Sequence, residues 1–144
     1  MSQLYLLGID CSECSDRALD YVTEKALTNG SRVLVAHVIE WSPFSFNTVE
    51  ENELRHKRRE NELDRAHSEV VDPVVAQLKE KGIDAQGIIR HGHIAKTLNS
   101  LAGEHEVDAI VVGRNGAGNL MTQLFGSVSG SLIQMADRPV TVVP

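Results

Sequence analysis

The residues best suited to chemistry lie near the end of the chain. They are Val111-Val112-Gly113-Arg114-Asn115-Gly116 and, ten residues after Gly116, Gly126-Ser127-Val128-Ser129. Glycine lets a backbone approach a ligand closely and adopt positive φ. A helix opening at Gly126-Ser127 would offer unpaired N–H groups and the positive end of its dipole. Together such a loop and helix start form an anion site suited to phosphate, with the Ser127 and Ser129 hydroxyls as further donors. A plainer reading has the glycines only turning the chain and Ser127 only capping the helix. Spacing alone leaves both readings open.

Other candidates are weaker. Asp10 closes the apolar run Leu4 to Ile9. Its carboxylate could accept a ribose hydroxyl, face a metal, or cap the following helix. Cys11 and Cys14 form a C-x-x-C at the start of that helix, where thiolate is favoured. The aromatic or proline neighbour of a thioredoxin-type site is missing, and two thiols are half of a zinc set. His91 and His93 form an H-x-H that could ligate zinc, although histidines in turns are usually solvated. Arg55, Lys57, Arg58 and Arg59 could bind phosphate or simply face water. No G-x-x-x-x-G-K-[ST] is present, so the chain is not a P-loop protein. No glycines follow Asp10, so the dinucleotide fingerprint is absent too. No Ser/His/Asp order can be assigned, and no general-base candidate stands out.

The elements that must position these residues alternate. Apolar runs at 4–9, 32–39, 85–90, 107–112 and 140–143 are rich in β-branched residues and apolar on both faces, as in buried parallel strands. Ala18, Leu19, Val22 and Ala26 mark one helix, stopped at Asn29-Gly30. Ala95, Leu98, Leu101 and Ala102 mark another, and Val128, Leu132, Ile133 and Ala136 a last one before Pro139. The second connection is unusual. Trp41 to Thr48 is an aromatic-rich loop, and eleven of the sixteen residues from Glu50 to Arg65 are charged. Glu51–Arg55 and Glu53–Lys57 are i,i+4 pairs, so this stretch reads as a solvated extension. The apolar stripe then runs Leu63, Ala66, Val70, Val74, Leu78, with Pro73 kinking or restarting the helix.

Alternation of this kind predicts an α/β fold: a doubly wound five-stranded parallel sheet with helices on both faces. In strand order 3-2-1-4-5, strands 1 and 4 are neighbours at the topological switch point, where ligands bind outside the carboxyl ends. Asp10 and Gly113 would then share one cleft.

Composition narrows the partners. The 144 residues suit one domain, 1–144, with no linker or repeat. A net charge of −6 argues against nucleic acid, which needs a positive field. Aromatics are only 4%, too few for a base-stacking platform. No run approaches 18 apolar residues, so no membrane insertion is expected. The opening lacks a basic segment, so a cytoplasmic protein without a signal peptide is expected.

Gly113-x2-Gly116-x9-Gly126-Ser127 resembles the G-x2-G-x9-G-[S/T] signature of the nucleotide-binding branch of the universal stress protein family. The opening strand Leu7-Gly8-Ile9-Asp10 and the second strand's His37-Val38-Ile39 also resemble that family, over essentially the whole chain. Departures are Gly8 and Cys11, where other residues are frequent, and Gly92-His93, which lacks a frequent proline. The resemblance implies bound ATP, with Gly8, Ile9 and Asp10 approaching the adenosine and the Val38 backbone reading the adenine edge. Val112, Gly113, Arg114, Asn115 and Gly116 would line the ribose and phosphate path. Gly126, Ser127, Val128 and Ser129 would hold the phosphates, with magnesium bridging them. It further implies a homodimer and a stress or regulatory role rather than an enzyme. The last strand, Val140 to Val143, is the expected dimer edge, since it is uncharged and nothing follows to cover it. The alternatives are a nucleotide-free interaction module of the same fold and a slow ATPase.

Overall fold

Five short strands form one parallel sheet: β1 (Leu4–Gly8), β2 (Arg32–Glu40), β3 (Ala85–Gly92), β4 (Ala109–Gly113) and β5 (Val140–Val143). The computed structural model describes residues 3–10, 13–40, 57–58, 60–61, 63–114 and 127–144 (backbone only at Glu13, Cys14 and Ser127). The strand order is β3-β2-β1-β4-β5, as the alternation predicts. Tyr5, Leu6 and Leu7 pair with Ala109, Ile110 and Val111, so β1 and β4 are direct neighbours. Several strand ends differ from the sequence reading: β2, β3 and β4 run on to Glu40, Gly92 and Gly113. β1 stops at Gly8, and β4 begins at Ala109 rather than Val107. Asp108 is not a strand residue but a clasp. Its N–H donates to the Leu4 carbonyl at 2.8 Å, and its Oδ2 accepts from Leu4 N at 2.8 Å.

Strand side chains alternate between two apolar layers, as the pleat requires. Leu7, Ile9, Val33, Val35 and Val111 pack beneath α1 (Glu13–Asn29) and α2 (Asp72–Glu80). Leu6, Leu34, Ala36, Val38, Ile110 and Val112 pack against α3 (Ile94–Glu104) and α4 (Ser127–Met135). Both layers are required because a parallel sheet must be covered on both faces. Gly30 adopts φ +71 just past α1, the left-handed stop expected there. Among the described residues no helix is long and apolar enough to cross a membrane.

Two helical stripes depart from the expected period. His67–Val71 is a π-turn leading directly into α2, with Asp72 N donating to the His67 carbonyl. Its extra residue moves the fully buried position from Val70 to Val71, and Pro73 sits in the first turn of α2. Proline is tolerated there because that N–H would lack a helical partner anyway. In α4, Leu132 is fully buried and Val128 packs on the core, but Ile133 is 54% exposed. One residue past Leu132 lies about 100° round the helix, beyond the narrow face that meets the sheet. Lys57 and Arg58 are exposed. Arg55, Arg59, the Glu51–Arg55 and Glu53–Lys57 pairs and the Trp41–Thr48 loop lie outside the described residues.

Candidate functional site

The sheet brings the carboxyl ends of β1 and β4 side by side, and with them the predicted residues. Gly8 ends β1, and Ile9 and Asp10 follow it. Val112 and Gly113 end β4, and Arg114 follows. A Cβ on Gly8 would lie 3.1 Å from Leu98 Cδ1 and 3.2 Å from Val112 Cγ1. Glycine therefore lets β1 and β4 finish close together above α3. The backbone of α4 begins at Ser127, with Val128 half-buried and Ser129 only 1% exposed. Asn115, Gly116 and Gly126 lie outside the described residues, as do Cys11 and the Cys14 side chain.

Side chains, together with one further ladder bond at each end, hold the backbone here. Ser129 Oγ donates to the Arg114 carbonyl at 2.9 Å, so its proton serves the chain just past β4. The same carbonyl's residue donates its N–H to Val143 at 2.7 Å, tying β4 to β5. Asp10 N donates to Ser15 Oγ at 3.2 Å, where Ser15 is buried in the first turns of α1. Ile9 N donates to the Ala36 carbonyl at 3.0 Å, one step beyond the end of β1. The Ile9 carbonyl lies 2.8 Å from His37 Nδ1. A carbonyl only accepts, so that ring nitrogen carries the proton.

Sequence reasoning passed over Ser15 and His37 as contributors. The signal for His37 is a polar ring inside a strand that is otherwise apolar. His93 is the N-cap of α3, and its Nδ1 accepts from Lys96 N at 3.3 Å. That bond occupies the nitrogen an H-x-H metal site would need. Gly92 precedes it at φ +151, where a Cβ would lie 2.7 Å from Thr97 Oγ1. Glycine is thus favoured at this turn, which lacks the proline frequent in the family. Among the described residues no three His, Cys, Asp or Glu side chains group to hold a metal.

A groove of about 190 Å³ opens at the opposite, amino end of the sheet, lined by Leu4, Arg32, Asp84, Gln86 and His105 among others. None of the predicted site residues lines it. The carboxyl end is the better candidate on chemistry, because strand ends and a helix start converge there and backbone groups can reach a ligand.

The fold and sequence have relatives. The family model described as "Universal stress protein family" matches residues 1–144. Universal stress protein MJ0577 of Methanocaldococcus jannaschii is 28% identical, over 99% of this chain and 97% of its own. The solved structure of MJ0577 superposes with a TM-score of 0.85 at 25% identity, covering 99% of this chain and 96% of that one. A universal stress protein from Archaeoglobus fulgidus, solved in complex with dAMP, gives a TM-score of 0.65 at 20% identity, a likeness of fold. It covers 100% of this chain and 98% of that one. Universal stress protein MT2052 of Mycobacterium tuberculosis is 28% identical over 96% of this chain but 47% of its own length. The chain thus spans about half the length of the mycobacterial relatives it matches.

Proposed function

The chain belongs to the universal stress protein family, and we propose that it is an adenine-nucleotide-binding regulatory module that takes ATP at the carboxyl ends of β1 and β4. The observation that carries this reading is the adjacency of those two strand ends, with the α4 start joined to the chain past β4 through Ser129. The Gly113-x2-Gly116-x9-Gly126-Ser127 spacing supplies backbone N–H groups for the triphosphate. Gly8, Ile9, Asp10 and the Val38 backbone take the adenosine end. Val112, Gly113, Arg114, Asn115 and Gly116 line the path to the phosphates, and Gly126, Ser127 and Val128 hold them. Ser129 acts by fixing the Arg114 carbonyl. The dAMP-bound relative supports an adenine nucleotide as the ligand class. The reading is of a module that senses nucleotide, with slow ATP hydrolysis as the alternative.

Magnesium fits such a site because it keeps most of its waters and needs few protein ligands besides phosphate. Asp10 would supply a carboxylate to its water shell, and the ion would offset phosphate charge in a chain of net −6. Mass spectrometry of the denatured, freshly purified protein should show an adenine nucleotide. Its absence, together with no heat of ATP binding in calorimetry, would favour the nucleotide-free interaction module. Identical ATP affinity in chelator and in magnesium would remove the ion from the site. Phosphate release above background would favour the slow ATPase.

We also propose a homodimer through β5. The ladder to β4 uses the Pro139 and Val143 carbonyls, so by alternation the outward backbone groups belong to Val140 and Val142. An unpaired apolar edge invites a second copy across a two-fold axis. Val142→Pro removes an outward N–H without touching the β4 ladder. Light scattering should give about twice 15.8 kDa for the wild type and a shift toward monomer for the variant. A dimer indifferent to the change would place the interface elsewhere.

A further inference from the structure

Resting on the adenine-nucleotide reading, we propose that His37 is a positioning residue that ends the β1–β2 ladder one bond early and so presents the Val38 N–H to the nucleobase. Arg32 N donates to the Gln3 carbonyl, and Ile9 N donates to the Ala36 carbonyl. Odd residues of the first strand therefore face even residues of the second, and the next rung of a regular parallel ladder would run from Val38 N to the Ile9 carbonyl. Among the described residues that rung is not made. The Ile9 carbonyl takes the His37 imidazole instead, at 2.8 Å. Val38 itself is 6% exposed, so its N–H is a donor held in a largely buried residue without its ladder partner. A buried donor left unpaired is costly, and an acceptor supplied by a ligand removes the penalty.

The chemistry of that acceptor selects the base. Adenine carries an unprotonated ring nitrogen, N1, on its Watson–Crick edge. Guanine carries an N–H at the same place, which would oppose the Val38 donor. A backbone N–H offered at this point therefore prefers adenine to guanine. His37 needs no contact with the ligand to do this. Its ring, half-buried at the carboxyl end of β2, keeps the Ile9 carbonyl occupied and so keeps Val38 available.

The test compares wild type, His37→Phe and His37→Asn by calorimetry with ATP, GTP and inorganic tripolyphosphate. An asparagine amide nitrogen occupies nearly the place of Nδ1, so it can make the same bond. His37→Phe is expected to weaken ATP binding about tenfold, the order of one hydrogen bond to a ligand. GTP and tripolyphosphate should be unaffected, and His37→Asn should bring ATP back to within about twofold of wild type. An unchanged preference for ATP over GTP in His37→Phe overturns the proposal, as does a parallel loss of all three ligands or a failure of asparagine to rescue. Imidazole 15N shifts of the ligand-free protein should report a protonated Nδ1, and a bare Nδ1 overturns the tether. A wild type that binds no ATP but shows the protonated Nδ1 overturns the nucleotide reading and the base contact with it, while the tether stands.

Discussion

The two ends of the sheet are finished in different ways. At the amino end the backbone closes on itself. Arg32 N donates to Gln3, Val33 N to Asp84 and Asp108 N to Leu4, at 2.8, 2.9 and 2.8 Å. The Asp108 carboxylate then takes Leu4 N as well. At the carboxyl end the Ile9 and Arg114 N–H groups still reach neighbouring strands, and side chains are added to them. His37 holds Ile9, Ser15 holds Asp10 and Ser129 holds Arg114. A backbone group paired with its own ladder has nothing left to offer a ligand, whereas a strand end held by side chains keeps its shape and can still offer some. At the amino-end groove the Leu4, Arg32 and Val33 N–H groups are thus already taken, and the carboxyl end is the place to look for recognition.

Substitutions at the two ends should therefore separate binding from stability. The largest effect is expected from Gly126→Val, which puts a side chain where the backbone should approach phosphate. Calorimetry should show ATP affinity falling about a hundredfold, with the melting temperature within about 2 °C of wild type. Unchanged affinity would remove the helix start from the site. Ser129→Ala comes next, since it strands the Arg114 carbonyl. It should cost about 1 kcal/mol in denaturant unfolding and about tenfold in ATP affinity. A purely structural Ser129 would show the first loss without the second. At the amino end, Asp108→Ala should show the reverse, a stability loss of about 1 kcal/mol or less with ATP affinity held. The smallest effect is expected from Arg32→Ala, within about 0.5 kcal/mol and with binding unaltered. A fall in ATP affinity there would mean that the nucleotide occupies the amino-end groove, and the comparison would be inverted.

The sheet was legible because five β-branched runs have no other stable arrangement once helices alternate with them. Right-handed crossovers narrowed the topology to a doubly wound sheet, of which the order β3-β2-β1-β4-β5 is one form, and α3 followed from Ala95, Leu98, Leu101 and Ala102, all buried. The switch point predicted that the ends of β1 and β4 would lie together, and they do, whereas the Gly116 and Gly126 part of the glycine spacing lies outside the described residues. What stayed hidden has a common cause. Periodicity assumes 3.6 residues per turn and a face of fixed width. A single π-turn moves burial from Val70 to Val71, and a narrow contact face leaves Ile133 in water. The tethers were hidden for another reason. A serine or histidine in a helix or strand shows its type in the sequence but not the carbonyl it reaches, and His37 and Ile9 are 28 positions apart.

The π-turn has a consequence for how the chain can change in length. Val71 sits over Gly87, where a Cβ would overlap Val71 Cγ1 and lie 3.2 Å from Val75 Cγ2. That missing methyl is the slot into which the wide turn bulges. Downstream, Leu78 follows Val71 at a regular seven positions, but upstream Ala66 precedes it by five. Subtract one residue and the spacing becomes four, the ordinary helical step. The helix therefore carries one residue more than its path requires, and the segments on either side remain in phase despite it. Removing one residue between His67 and Val70 should leave both apolar stripes on the sheet, whereas the same deletion inside α3, which has no such slack, would turn half of its buried face toward solvent.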